Sequence, residues 1–146
     1  MSQLTLRPDN DPHRPGEWFV YFGDVRIGHI GKRTGISAHA PQWGWSCGFC
    51  PGCDPGKQAN GTAETFEEAR AGFELAWSKL AATRTEAHYE AWRRNRDWHS
   101  WKDRMHSERL PLPTQPDGYA TCFCGMAITG GSMSRHVQTV HRGIGE

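Results

Sequence analysis

The alternation of apolar and polar positions in the first third of the chain predicts β-strands. Residues 18–30, WFVYFGDVRIGHI, alternate on either side of Gly23-Asp24, and β-branched and aromatic residues occupy both arms. This pattern is typical of a β-hairpin. Every second position is then apolar in Trp43, Trp45, Cys47 and Phe49. Because side chains two apart share one face of a strand, we predict a third strand with one buried face.

The spacing changes to that of a helix after Gly61. Thr65 is followed three residues later by Glu68, which is the pattern of a capping box. The apolar face of this helix comprises Phe66, Ala69, Phe73, Ala76, Trp77 and Leu80. A second helix, capped by Thr83 or Thr85, is predicted to run to about Arg109. Its apolar stripe comprises Ala87, Ala91, Trp98, Trp101 and Met105, with Tyr89 and Trp92 on the far side.

These elements predict an α+β fold, in which a three-stranded antiparallel sheet is packed by two helices. Residues 1–16 are polar and carry three prolines, so we expect a flexible N-terminal segment. Residues 17–109 form the predicted β-β-β-α-α domain. Residues 110–118, LPLPTQPDG, again carry three prolines and predict a semi-stiff linker. Residues 119–146 then form a separate small module.

Composition narrows the class of protein. The 146 residues carry a net charge of +1, which excludes a strong overall attraction to nucleic acid or to a membrane surface. The apolar run at 18–22 is too short to span a bilayer, and the N-terminus lacks the order of a secretory signal. We therefore expect a cytoplasmic protein without a membrane partner. Five cysteines, an odd number, favour metal binding or free thiols over a disulfide framework.

The C-terminal stretch carries metal-ligand residue types at suggestive spacings. They are Cys122, Cys124, His136 and His141, in the pattern C-x-C-x11-H-x4-H. Two thiolates on a turn that faces two imidazoles on one helix are a ligand set for tetrahedral Zn²⁺. Ile128 and Met133 supply a small apolar core beside them. The alternative is that the four residues share a glycine-rich tail by chance and bind nothing.

Over about its last 25 residues, from Tyr119 onward, the chain resembles the C2H2 zinc finger. The resemblance implies a ββα module around one structural Zn²⁺. The family has two to four residues between its cysteines and about twelve before the first histidine, whereas this chain has one and eleven. The hairpin must therefore be tight, which Gly125, Gly130 and Gly131 would permit.

The resemblance also implies candidate nucleic-acid contacts. The base-reading positions of the family correspond to Thr129, Ser132 and Arg135, and Arg142 follows the second histidine. The second helix adds Arg93, Arg94, Arg96, Lys102, Arg104 and Arg109 among aromatic residues. Acidic residues dilute this charge, which favours a solvated helix with ordinary ion pairs. We predict a zinc-binding protein that binds nucleic acid or acts as a regulatory accessory; the alternative is a protein–protein interaction module with purely structural zinc.

A second cysteine cluster comprises Cys47, Cys50 and Cys53. The three cysteines match part of an iron–sulfur ligand run. Cys50 and Cys53 alone match a metal knuckle that His29 or His39 would complete, or a redox dithiol. No complete ligand set is visible, so we favour a buried Cys47 and chemically idle thiols at the other two positions. No spacing in the sequence indicates catalytic residues. In addition, four protein ligands would close the predicted zinc site to substrate.

Overall fold

The structure is a computed structural model that describes residues 4–51 and 58–146. Within them the chain is α+β. The elements are β1 (Leu4–Pro8), β2 (Trp18–Phe22), β3 (Val25–Lys32), β4 (Trp43–Cys47), β5 (Ala59–Ala63), α1 (Phe66–Ala81), α2 (Glu86–Ser107), β6 (Tyr119–Thr121), β7 (Ala127–Thr129) and α3 (Met133–Val140). The chain divides into two compact units, Met1–Trp92 and Arg93–Glu146, hereafter the N-terminal and C-terminal units. Helix α2 therefore contributes residues to both.

The main sheet belongs to the N-terminal unit and is antiparallel, with the strands in the order β1-β2-β3-β4-β5. The prediction of three strands is wrong, because β1 and β5 extend the sheet at its two edges. β1 lies within the predicted flexible segment, where Leu4 and Leu6 alternate with polar residues and pack against the core. β5, with the sequence ANGTA, has weak β-propensity and forms by pairing along the whole of β4.

Helix α1 packs on one face of this sheet as its pattern predicts. Thr65 caps it, and the Thr65 side chain accepts a hydrogen bond from the Glu68 backbone N–H at 3.2 Å. Ala69, Phe73 and Trp77 are buried. The Phe73 ring lies edge-on to Trp45, with ring centroids 6.3 Å apart. The alternate aromatic residues of β4 thus face α1, as predicted for the third strand.

Helix α2 uses a different face at its start than the apolar stripe predicts. Ala87 is exposed, whereas Tyr89 is buried in the core of the N-terminal unit. The Tyr89 ring stacks on Phe49 at 5.5 Å and meets Phe22 at 5.6 Å. The large ring removes far more apolar surface from water than an alanine methyl group, so it decides which face is buried. Further along, Trp101 and Met105 are fully buried in the C-terminal unit, as the stripe predicts.

The proline-rich segment 110–118 is part of the C-terminal unit and packs on its core. Leu110 and Leu112 contact the buried cluster, and Pro113 is buried. The Gly131 backbone N–H donates to the Pro116 carbonyl at 2.9 Å, which ties this segment to the turn before α3. The segment therefore contributes to the packing of the C-terminal unit. β6, β7 and α3 form the expected ββα arrangement.

Candidate metal centre

A tight turn between β6 and β7 positions the two cysteines. The Cys122 backbone N–H donates to the Met126 carbonyl at 2.9 Å, and the Gly125 N–H donates to the Cys122 carbonyl at 2.8 Å. Gly125 has a φ of +92°, a left-handed conformation that glycine adopts without steric cost. This conformation allows one residue between the cysteines to suffice. Cys122 is buried beneath the turn and Cys124 is exposed on it.

Helix α3 positions the two histidines. His136 lies in its first turns, where its backbone N–H bonds to the Ser132 carbonyl at 3.0 Å. His141 ends the helix, and its N–H bonds to the Val137 carbonyl at 3.1 Å. Both rings therefore face the same side, and they meet edge-on with centroids 4.9 Å apart. Val137 and Ile128 are buried beside them.

The four side chains converge as the sequence predicts. Cys122 Sγ lies 3.4 Å from His141 Nε2, and Cys124 Sγ lies 3.6 Å from His136 Nε2. All four ligand atoms lie within 4.8 Å of one another. A tetrahedral ion with bonds of about 2.3 Å to sulfur and about 2.0–2.1 Å to nitrogen holds these atoms about 3.5 Å apart. The residues therefore fit one metal ion.

Trp101 of α2 contacts this cluster directly. Its indole N–H donates to Cys122 Sγ at 3.3 Å, and both residues are buried. A donor at a ligand sulfur orients the thiolate and stabilises its negative charge. Sequence reasoning placed Trp101 on an apolar stripe and missed this contact. The sequence gives one indication of this hydrogen bond. A buried tryptophan needs a partner for its N–H, and Trp101 lies on the apolar stripe of α2.

A second contact from α2 reaches the cluster through an aromatic ring. The Arg104 guanidinium lies 4.1 Å above the Phe123 ring, and this ring lies 4.7 Å from the His141 ring. Burial, followed by the charges of His136 and Arg104, lowers the pKa of His141 below its usual value. The shift favours the neutral imidazole, which is the form that binds a metal.

Asp97 of α2 anchors the chain after His141. Its carboxylate accepts hydrogen bonds from the backbone N–H groups of Gly143 at 2.9 Å and Gly145 at 3.1 Å, and from Arg96 Nε at 3.0 Å. Burial alone would raise the pKa of Asp97, but the Gly143, Arg96 and Gly145 bonds and the Arg96 charge outweigh it and lower the pKa. The carboxylate is thus ionised and fully used as a clamp on the C-terminal tail.

Two of the three predicted base-reading residues make local contacts. The Thr129 N–H donates to Ser132 Oγ at 2.9 Å, and the Ser132 N–H donates to Thr129 Oγ1 at 3.1 Å. This reciprocal pair closes the turn that starts α3. Arg135 and Arg142 are exposed.

The basic residues of α2 contribute ion pairs of the ordinary kind. Arg96 pairs with Asp97, and Arg104 pairs with Glu108 at 2.7 Å. Both contacts favour the interpretation of α2 as a helix with internal ion pairs whose tryptophans serve packing.

The second cysteine cluster is only partly described. Cys47 is buried in the core of the N-terminal unit, as predicted, and Cys50 is exposed. Cys53 lies outside the described residues. Among residues 4–51 and 58–146, the cluster at Cys122 is the one group of three or more candidate ligands close enough to share a metal.

Comparison of the chain with models of protein families, with curated proteins and with solved structures finds no match. In the part of the chain that the structure describes, every helix is too short or too polar to cross a membrane.

Proposed function

We propose that this chain is a zinc-binding protein with one structural Zn²⁺ held by Cys122, Cys124, His136 and His141. The sulfur–nitrogen separations of 3.4 and 3.6 Å carry the proposal, because they match the edges of a tetrahedral zinc site. Two thiolates with two imidazoles suit zinc better than Mg²⁺ or Ca²⁺, which prefer oxygen ligands. Four protein ligands leave no position for substrate, so the centre is structural and not catalytic.

The zinc would join the β6–β7 turn to α3. The strands concerned have three residues each and α3 has eight, so the ββα arrangement has little core of its own. In small modules of this kind the free energy of metal binding is largely free energy of folding. The apolar residues buried around the centre are Trp101, Met105, Cys122, Ile128 and Val137.

Nucleic acid is the partner that we propose for the C-terminal unit. Arg135 is exposed on α3, at the one base-reading position that keeps a strong base-reading side chain, and Arg142 is exposed just beyond the helix. A single finger contacts about three base pairs, so we expect weak sequence preference and binding dominated by phosphate contacts.

A protein partner is the second candidate. Three large apolar side chains of the C-terminal unit are exposed, namely Tyr119 at 82%, Met126 at 51% and Val140 at 49%. Exposed aromatic and methionine side chains are enriched at protein interfaces. In that case zinc would shape the surface without touching the partner.

Native mass spectrometry tests the zinc centre. The full chain should carry one Zn²⁺, and Cys124→Ser or His136→Ala should lose it. Cys50→Ser is the matched control, since it removes an exposed thiol outside the cluster and should keep the metal. A wild-type chain that binds no zinc, or a His136→Ala variant that still binds it, contradicts the proposal.

Titration of duplex DNA tests the partner. Binding by the zinc-loaded chain should weaken with salt, and Arg135→Gln with Arg142→Gln should weaken it further. Arg70→Gln, an exposed arginine on α1, is the control and should change nothing. If the double variant binds DNA as the wild type does, while Tyr119→Ala abolishes capture of a partner protein, the second candidate replaces the first.

A further inference from the structure

The five-stranded sheet has a second face, opposite α1, which we call the open face. In the strand register Arg7 pairs with Phe19, Phe19 with His29, His29 with Ser46 and Ser46 with Asn60. The neighbouring row from Val20 through Gly28 to Cys47 faces the helix, because a Cβ at Gly28 would lie 2.6 Å from the Phe73 ring. Successive residues of a strand point to opposite faces, so the row with Phe19 belongs to the open face.

Basic side chains outnumber acidic ones on the open face. By strand register Arg7, Arg26 and His29 belong to it, whereas Lys32 lies over the Trp43 ring on the α1 side. The five strands, as the structure describes them, contain no aspartate or glutamate. The carboxylate of Glu17, just before β2, contacts the position above Gly31 at one end of the open face. Arg7 and Arg26 therefore give the open face a small excess of positive charge over the Glu17 carboxylate, although the whole chain has a charge of only +1.

Two aromatic rings stand among these cations. Phe19 and Tyr21 are two residues apart on β2, both half-buried, and therefore about 7 Å apart along the strand. The Arg26 guanidinium lies 4.7 Å above the Phe19 ring, and the Arg7 guanidinium lies 4.1 Å above the Tyr21 ring. Each ring thus already has a guanidinium over one of its faces.

The open face carries a shallow groove that begins at His29. A groove of about 520 Å³ is lined by polar side chains that include Glu17, His29, Arg33, Asn60 and Thr62. Gly31 and Gly44 form part of its lining, and the side chains of Glu17 and Arg33 lie over them. His29 also lines a second depression of about 260 Å³, together with Phe19, Arg26 and Ser46. The aromatic positions and the polar groove therefore adjoin at His29.

We propose that the open face binds single-stranded nucleic acid. Bases would stack on Phe19 and Tyr21, and phosphates would pair with Arg7 and Arg26. Stacking of a base on an aromatic ring is more favourable than a solvent-exposed cation–π contact. A base therefore displaces the guanidinium from its ring, and the guanidinium becomes available to a phosphate. A duplex keeps its base faces stacked internally, so the rings select single strands.

This inference goes beyond the zinc-dependent function proposed above, because it concerns another unit and uses no metal. The chemistry shared by single-stranded DNA and RNA is a flexible phosphate backbone with accessible base faces. An acidic protein segment would satisfy the charge but would leave the two ring faces without planar partners.

Fluorescence anisotropy of the full, zinc-loaded chain tests the proposal, with labelled single strands of about 15 nucleotides and a hairpin duplex as probes. Single-stranded DNA or RNA should bind more tightly than the duplex, and the affinity should fall as salt rises from about 50 to about 200 mM. Arg7→Gln or Arg26→Gln should each weaken binding and reduce the salt slope by about 0.7.

Substitution of the rings separates stacking from charge. Tyr21→Leu should weaken single-strand binding about tenfold without changing the salt slope, whereas Tyr21→Phe, which keeps the ring, should bind as the wild type does. Arg70→Gln on α1 is the charge-matched control, and circular dichroism confirms that each variant is folded.

The outcomes distinguish this surface from the zinc centre. Single-strand binding that survives Cys124→Ser and Arg135→Gln but is lost in Arg7→Gln with Arg26→Gln supports the open face. If the single variant Arg135→Gln loses single-strand binding, the binding belongs to the C-terminal unit and the proposal is overturned. No binding to any single strand, binding to the duplex as tight as to a single strand in the chain with Arg135→Gln and Arg142→Gln, or equal effects of Arg70→Gln and Arg7→Gln also overturn it.

Discussion

The indole N–H of Trp101 donates to the sulfur of Cys122 across 3.3 Å, between two residues that are both buried. Trp101 belongs to α2, which the apolar pattern assigns to the sheet domain, and Cys122 belongs to the ββα arrangement. The buried side of the candidate ligand cluster is therefore covered by a helix that precedes it in the chain, with the proline-rich segment 110–118 between them. Sequence analysis predicted a small separate module for residues 119–146 and did not anticipate this contact from α2.

Trp101→Phe removes this donor and keeps most of the ring. A buried thiolate that loses its hydrogen-bond donor is a less stable metal ligand. Loss of a group that hydrogen-bonds to a metal ligand lowers metal affinity about 10- to 100-fold, and we expect the lower value, about tenfold, for zinc in Trp101→Phe. Competition with a chromogenic chelator measures it. Trp98→Phe is the matched control, since Trp98 carries the same ring and stacks on Trp101 at 5.5 Å. An unchanged zinc affinity in Trp101→Phe would show that the N–H has no role in binding.

Asp97→Asn weakens the clamp on the C-terminal tail. The amide keeps the shape of the side chain but loses the charge that strengthens the bonds from Gly143 and Gly145, so we expect a loss of roughly 2 kcal/mol in the free energy of unfolding. Urea unfolding of the zinc-loaded chain measures it. Asp103→Asn, an exposed position on the same helix, should change stability by less than about 0.5 kcal/mol.

The same carboxylate makes stability depend on acid. The pKa of Asp97 is lowered in the folded chain, so the unfolded chain takes up this proton first as pH falls. The contribution is complete above the unfolded value of about 3.9 and is lost as pH falls through the lower folded value. Unfolding experiments between about pH 6 and pH 3 should show a steeper loss for the wild type than for Asp97→Asn. Parallel profiles would contradict this account.

Gly28→Ala should disrupt the core between the main sheet and α1. Gly28 has a φ of +155°, and an added Cβ would contact the Ser46 carbonyl and lie 2.6 Å from the Phe73 ring. Backbone cannot move aside as a flexible side chain does, so we expect a loss of roughly 3 kcal/mol or more in the free energy of unfolding. Gly35→Ala is the control: its φ is +70° but nothing lies within 4 Å, so only the backbone cost of about 1–2 kcal/mol applies. Thermal unfolding of both variants checks the difference.

Several features follow from local sequence because the interactions concerned are local. The Thr65 cap, the alternating face of β4 and the left-handed conformation of Gly125 each depend on residues within a few positions of one another. The four candidate ligands belong to the same class, because a short hairpin and one helix bring them together. The sequence pattern therefore predicts this ligand cluster without knowledge of the rest of the chain.

Other features depend on partners far along the chain. β5 has no strand signal of its own and exists because β4 offers it a free edge. Tyr89 is buried and Ala87 exposed because Phe22 and Phe49 meet the helix on that side. No periodicity within α2 distinguishes the two faces, since both carry apolar residues.

The sequence by itself determined the α+β class, the start of α1 and the set of four candidate metal ligands, because spacing along a strand, a helix or a turn sets these directly. Only the tertiary structure decided that Trp101 and Asp97 of α2 support the candidate metal centre and its tail, and that Arg7, Phe19, Tyr21 and Arg26 share one face. Those relationships join residues up to 48 positions apart, as between Asp97 and Gly145. They arise from packing and strand register, which no local pattern encodes.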